Sequence, residues 1–233
     1  MFLAMEDRKK HILNTLIKEH IKTGAPVGSG VLVEKYKLDI SPATARNEMA
    51  ELENDGYIIQ PHTSAGRIPT EKAYRYYLIE LKEKKLHDDE IKALNSFLKK
   101  GTEESFKLAA KELARLSGNA IIWAHDRRNL YYTGISNLLT QPEFARSELI
   151  YDISYIIDQL EEIVYRTFDR AAFEPEALIG SLNPYSNLCS SIQFRYNIKN
   201  RAGLVVMLAP VRMDYEKSLA LMRLVHEKLT GKN

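Results

Sequence analysis

The stretch SPATARNEMAELENDGYIIQPHTSAGRIPTEKAYRYY, residues 41–77, decides the fold. Ser41-Pro42 is a helix-start signal, because the hydroxyl can accept orphan backbone N–H groups and proline is pre-set for the first helical position. The helix runs to about Asp55, where Asp55-Gly56 stops it. A short β-like run, Tyr57 to Pro61, follows, then the polar loop His62 to Arg67 and a second short run at Ile68-Pro69. Two short strands joined by such a loop make a wing. Thr70 caps the next helix, whose Ala73, Tyr74, Tyr77, Leu78 and Leu81 form one stripe.

Working outward, Ile12, Leu13, Leu16, Ile17 and Ile21 recur at helical spacing between Asp7 and Lys22. Gly24 to Pro26 break that helix, and Ser29 stands where it can cap a second one carrying Val31, Leu32 and Tyr36. The order helix, helix, helix, strand, wing, strand, helix is that of a winged helix-turn-helix domain. Residues 81–89, LKEKKLHDD, are dense in charge and poor in anchors, so a helical or mobile connection is expected there. The boundary falls between residues 1–85 and 86–233.

In the second part, Asp88 to Leu98 and Glu103 to Leu116 read as amphipathic helices. NAIIWAH and NLYYTG are strand candidates around a DRRN turn, and a long helix from about Arg146 to Phe168 buries Leu149, Ile153, Ile156, Ile157, Leu160, Ile163 and Val164. EALIGSL, SSIQFRYNI and GLVVMLAP are strands, the last two joined by a KNRAG hairpin, and a final helix runs from Asp214 to Leu229. The whole is an α+β chain with a mainly antiparallel sheet in its second domain.

Composition limits the function. With 45% hydrophobic and 27% charged residues the chain is globular, and 33 Lys and Arg against 31 Asp and Glu make any nucleic-acid footprint local. Residues 1–85 carry 14 basic against 12 acidic residues and the rest 19 against 19, so the electrostatic support for such a footprint is weak. The lone Cys189 excludes a disulfide framework, fits a reducing compartment, and reads as a buried structural thiol. There is no secretory signal pattern and no apolar run long enough for a membrane span, so a cytoplasmic, nucleoid-associated protein is expected. The six histidines are scattered, with no HExxH, no phosphate-binding glycine loop and no GxSxG, so the chain reads as a non-enzyme without cofactor or metal.

The helix after Ser41 carries the strongest signal. Ala45, Met49 and Leu52 make its buried stripe, and the opposite face holds Ala43, Asn47, Ala50 and Asn54, flanked by Thr44 and Arg46. Small residues allow close approach to a groove, Asn can pair with adenine, Arg with guanine, and Thr or Ala methyls can touch thymine. The competing reading is a merely solvated face. In the wing, Gly66 permits tight curvature and Arg67, at the loop tip, can reach phosphates or a narrow minor groove; the competing reading is an ordinary hairpin. Tyr74 and Tyr77 pack inward by spacing, and Tyr76 is partly exposed.

The run GAPVGSGVLVEKYKLDISPATARNEMAELENDGYIIQPHTSAGRIPTEKAYRYY resembles the heat-inducible transcription repressors of the HrcA family, as do TGISNLLTQPEF, IGSLNP and GLVVMLAPVRMDYEKSLALM further on. The resemblance implies a DNA-binding repressor of chaperone genes that binds an inverted-repeat operator as a homodimer. It also implies a GAF-like C-terminal domain and the chaperonin as co-repressor. Ala43, Thr44, Arg46 and Asn47 would face the major groove, His62, Thr63, Ser64 and Arg67 would form the wing, and Ser29, Ser41 and Tyr76 would hold phosphates. This chain departs from the family at Gly30, where a basic residue is usual, at Ala45 and at Ala73. A long family segment with an inserted dimerisation domain is replaced by AIIWAHDRRNLYY, so the GAF-like domain is a reduced one. Two alternatives stay open: a C-terminal domain that senses a small molecule, and a winged-helix scaffold that binds only protein.

Overall fold

Among the described residues, ten α-helices and seven strands fall in chain order into two units, residues 1–81 and 82–233. The computed structural model describes residues 5–82, 84–144, 147–198 and 201–231, with side chains described outside 147–152.

In the first unit α1 (Asp7–Thr23) buries Ile12, Leu13, Leu16 and Ile17 against α3 (Pro42–Asn54) and α4 (Glu71–Ile79). The left-handed Gly24 ends α1 by donating its N–H to the His20 carbonyl. The short α2 (Ser29–Tyr36) packs on α3 through Leu32, and β1 (Ile58–Ile59) pairs antiparallel with β2 (Ile68–Pro69). Glu19 of α1 is buried, and Lys35 Nζ and the Tyr36 hydroxyl donate to its carboxylate at 2.6 Å each. Lys35, and after it Tyr36, holds that carboxyl below the ordinary glutamate value, while burial pushes the Tyr36 hydroxyl up to about 12.

In the second unit five strands lie in the order β4-β3-β7-β6-β5, every neighbouring pair antiparallel. They are β3 (Ala120–Ala124), β4 (Leu130–Thr133), β5 (Glu176–Ile179), β6 (Cys189–Ile198) and β7 (Arg201–Pro210). The strand period of two divides the apolar residues between two faces. Ala120, Ile122, Leu204, Val206 and Leu208 join Leu138, Phe144, Ile153, Ile156, Leu160 and Val164 in one core, under α7 (Ile135–Leu139), α8 (Ser147–Asp158) and α9 (Leu160–Thr167). On the other face Trp123 stacks on Phe106 of α6 (Glu103–Ser117), and Phe194 meets His226 of α10 (Tyr215–Thr230) edge-on. The helix α5 (Asp88–Leu98) packs on α6 and α10.

Four expectations are corrected. The helix expected from Arg146 to Phe168 is two helices meeting at Gln159, whose φ of −93° and ψ of 1° leave the helical basin; Ile157 and Ile163 are half-buried, and the side chain of Leu149 lies outside the described residues. Residues 81–87 contain no helix among those described, and Lys84 N–H donates to the Glu216 carbonyl, so the division falls after Leu81 rather than Lys85. The N-cap of α2 is Gly28, with Ser29 already in the first turn and buried. All of Tyr74, Tyr76 and Tyr77 are buried. Cys189 is buried as expected, its thiol pushed up to about 12 by burial.

Glu19 generates a test with a defined sign. Its folded pKa lies below the ordinary 4.5, so its stabilisation is complete above that value and disappears as pH falls through the folded pKa. Glu19→Gln is expected to cost about 1–3 kcal/mol near neutrality and to flatten the acid limb of stability below pH 4.5. Chemical denaturation across pH checks both.

Candidate nucleic-acid interface

The start of α3 is built by its own sequence. Ser41 Oγ accepts the Thr44 N–H at 3.0 Å and lies 2.9 Å from Thr44 Oγ1, so the two hydroxyls expected to meet DNA are tied to each other at the helix end. Ala45, Met49 and Leu52 are buried, as their spacing requires, which turns Ala43, Arg46, Asn47, Ala50 and Asn54 outward; all five are exposed. Arg46 and Asn47 have no hydrogen-bond or ion-pair partner among the described residues. A fourth member of the buried stripe was missed: Glu48, whose carboxylate accepts from Arg8 Nε at 2.6 Å. Its position, three after Ala45 and four before Leu52, was the available signal.

The wing is held from both sides. Gln60 N–H donates to Glu53 Oε1 at 3.0 Å, its side-chain amide donates to the Ala65 carbonyl at 3.0 Å, and Ala65 N–H donates to the His62 carbonyl at 3.0 Å. Ser64 adopts a left-handed φ of 66°, and His62, Thr63 and Ser64 are exposed at the tip.

Arg67 is not at the tip. Its backbone exchanges two hydrogen bonds with Val27, at 2.8 and 2.9 Å, and its Nε donates to Glu53 Oε2 at 2.9 Å. Its side chain is 20% exposed, so the guanidinium braces the base of the wing. Gly66 is needed for close approach rather than curvature: a Cβ there would lie 2.5 Å from the Val27 carbonyl carbon. This contact gathers Gly28, Ser29, Arg46, Met49, Ser64 and Arg67 around a cleft of about 260 Å³.

Tyr76 does not reach this surface. It is 7% exposed and packs edge-on against Tyr57 at 5.7 Å, which covers the side that helical spacing leaves open, and burial raises its hydroxyl pKa. A phosphate contact from Tyr76 is therefore withdrawn. Lys37, at the left-handed C-cap of α2, is a further exposed cation of the first unit and has no partner among the described residues.

A family model described as HrcA protein C terminal domain matches residues 70–219. The chain is 34% identical over 226 residues to the heat-inducible transcription repressor HrcA of Natranaerobius thermophilus, covering 94% of this chain and 62% of that protein. It thus spans less than two thirds of that relative's length. To the repressor of the same name from Carboxydothermus hydrogenoformans it is 26% identical over 333 aligned positions, covering 97% of each. Since this chain has 233 residues, at least 100 of those positions have no counterpart here. A crystal structure of a hypothetical protein superposes with a TM-score of 0.82 at 19% identity, covering 98% of each chain, which shows the shared fold.

Gly66→Ala tests the bridge. The added Cβ meets Val27 backbone, which cannot yield as a side chain would, so the variant is expected to lose about 1–3 kcal/mol. Limited proteolysis should find faster cleavage within residues 60–66, and an unchanged cleavage rate would refute the bridge as the wing's anchor.

Proposed function

Because the chain belongs to the HrcA family, we propose that it is a sequence-specific transcriptional repressor of heat-shock genes, its first unit a winged helix-turn-helix head that reads DNA. One observation carries this reading: α3 turns outward a face of small residues, with Arg46 and Asn47 exposed and unpartnered among the described residues. An exposed helix face without ion pairs of its own has donors and acceptors available for base edges. Ala43, Thr44, Arg46 and Asn47 face the major groove in this proposal, and His62, Thr63 and Ser64 follow the adjacent backbone or minor groove. Ser41 sits exposed at a helix start, where backbone N–H groups favour phosphate, whereas Ser29, buried in the first turn of α2, does not offer its hydroxyl to one. Arg67 contributes by holding the wing, and Lys37 adds a phosphate contact.

An inverted-repeat operator has two-fold symmetry, so the repressor binds it as a homodimer. The second unit is proposed as a reduced GAF-like sensor and dimerisation domain. In this proposal the missing family segment is the one that AIIWAHDRRNLYY replaces, as the sequence resemblance implies, and the dimer contact comes from residues 82–233. The chaperonin as co-repressor rests on family membership. A second reading, a small-molecule effector, is favoured by a cavity in the second unit. No enzymatic step is part of either.

A binding titration on a chaperone-operon inverted repeat and on a scrambled duplex, at two salt concentrations, tests the main reading. The expected preference for the operator is about a thousandfold or more. Asn47→Ala is expected to lose about 1–3 kcal/mol of discrimination at its base pair while leaving binding to the scrambled duplex unchanged. Lys37→Ala should weaken both duplexes alike and lower the salt dependence. Equal binding of wild-type protein to both duplexes would defeat the proposal.

A further inference from the structure

At one end of the second unit's sheet, the β3–β4 turn, the start of α6, the end of α9, the end of β6 and the start of β7 line a cavity of about 1120 Å³. Small-molecule sites commonly occupy about 300–1,000 Å³, so the space is ample for such a ligand. Its aromatic lining is unusually continuous. Phe106 stacks on His125 at 5.9 Å and 22° and on Trp123 at 5.2 Å and 13°, and Tyr196 meets Phe106 edge-on at 6.3 Å. The Trp123 indole N–H donates to the Tyr196 hydroxyl at 2.9 Å, which fixes that ring. Gly203, opposite Tyr196 on β7, leaves the room the ring occupies, since a Cβ there would lie 2.1 Å from its Cζ. Tyr165, 42% exposed, forms another part of the lining, with the guanidinium carbons of Arg127 and Arg128 at 5.9 and 5.7 Å from its ring centre.

The charges are unevenly compensated. Asp169 is ion-paired with Arg127 and lies 3.8 Å from Arg195 Nη1. Asp126 Oδ1 accepts the backbone N–H groups of Arg128 and Asn129 at 2.7 and 2.9 Å, closing the turn. Arg128 and Arg201 have no carboxylate within ion-pair distance among the described residues, and they face one uncommitted acid, Glu103, at the start of α6. His125, also in the lining, has its Nε2 buried without a hydrogen-bond partner among the described residues.

We propose that this cavity binds a small planar aromatic anion, its ring laid against Phe106, Tyr196 and Tyr165 and its carboxylate or phosphate drawn by Arg128 and Arg201. Rings of this kind favour offset stacking or edge contact with a flat ligand. Guanidinium groups free of internal carboxylates pair with an oxyanion in a planar fork. The inference goes beyond operator binding and stands whether or not the first unit reads DNA, because it is tested on the ligand directly.

Calorimetric titration and thermal melting of the full chain with 2-naphthoate, 2-naphthyl phosphate and neutral 2-naphthamide provide the test. At least one anion is expected to bind saturably and raise the melting temperature, with the amide at least about tenfold weaker. Arg128→Ala with Arg201→Ala should weaken the anion at least about tenfold without changing the melting temperature of the free protein, since both side chains are exposed. If that double variant melts early, Arg128→Gln with Arg201→Gln repeats the test with longer side chains retained. No saturable binding of either anion, equal binding of amide and anion, or unchanged affinity in a stable double variant would each overturn the proposal. The two anions compared tell a carboxylate from a phosphate ligand.

Discussion

Two backbone hydrogen bonds between Val27 and Arg67 hold the candidate interface together. They join the segment before α2 to the end of the wing loop, and they require that position 66 carry no side chain. Once this contact is made, Arg67 is placed to bond Glu53, and Glu53 in turn accepts the Gln60 N–H on the other side of the loop. The wing is therefore fastened to α3 by one carboxylate and to α2 by one backbone bridge. An isolated pair of two-residue strands would be marginal in water, so the fastening is what gives the exposed tip a defined position.

The second unit solves a different problem. The strand β7 lies between β3 and β6 and is buried from Gly203 to Pro210, because helices cover both faces of the sheet. The five-residue turn His125–Asn129 closes on itself through Asp126 and the backbone bond from His125 N–H to the Asn129 carbonyl. The aromatic and arginine side chains around this turn line a cavity.

Much of this was legible before any coordinates. Helix starts at Ser41, Thr70 and Asp214 follow from side chains that accept their own backbone N–H groups, and each does so. Glycine at the left-handed ends of α1, α6 and α10, the period-two strands and the 3.6-residue stripes are likewise local properties. The cap of α2 was misread because a serine with the right chemistry stood one residue beyond the glycine that takes the cap geometry. The break at Gln159 carries no proline or glycine, and nothing in the local sequence marks it.

The sequence by itself determined the order of elements, the inward stripes, the outward face of α3 and the family, since each depends on residues a few positions apart or on the motif as a string. Only the tertiary structure decided what the charged and polar side chains do. Arg67 reads as a free loop cation until Glu53, fourteen residues away, is brought beside it. Tyr76 reads as partly exposed until Tyr57 covers it, and Glu19 and Glu48 are buried carboxylates whose partners, Lys35 and Arg8, reach them from exposed positions. The cavity is the extreme case, drawing its lining from α6, the β3–β4 turn, the end of α9, the end of β6 and the start of β7. Ion pairs, coverage and cavities are set by distances between segments remote in the chain, and those distances exist only after packing.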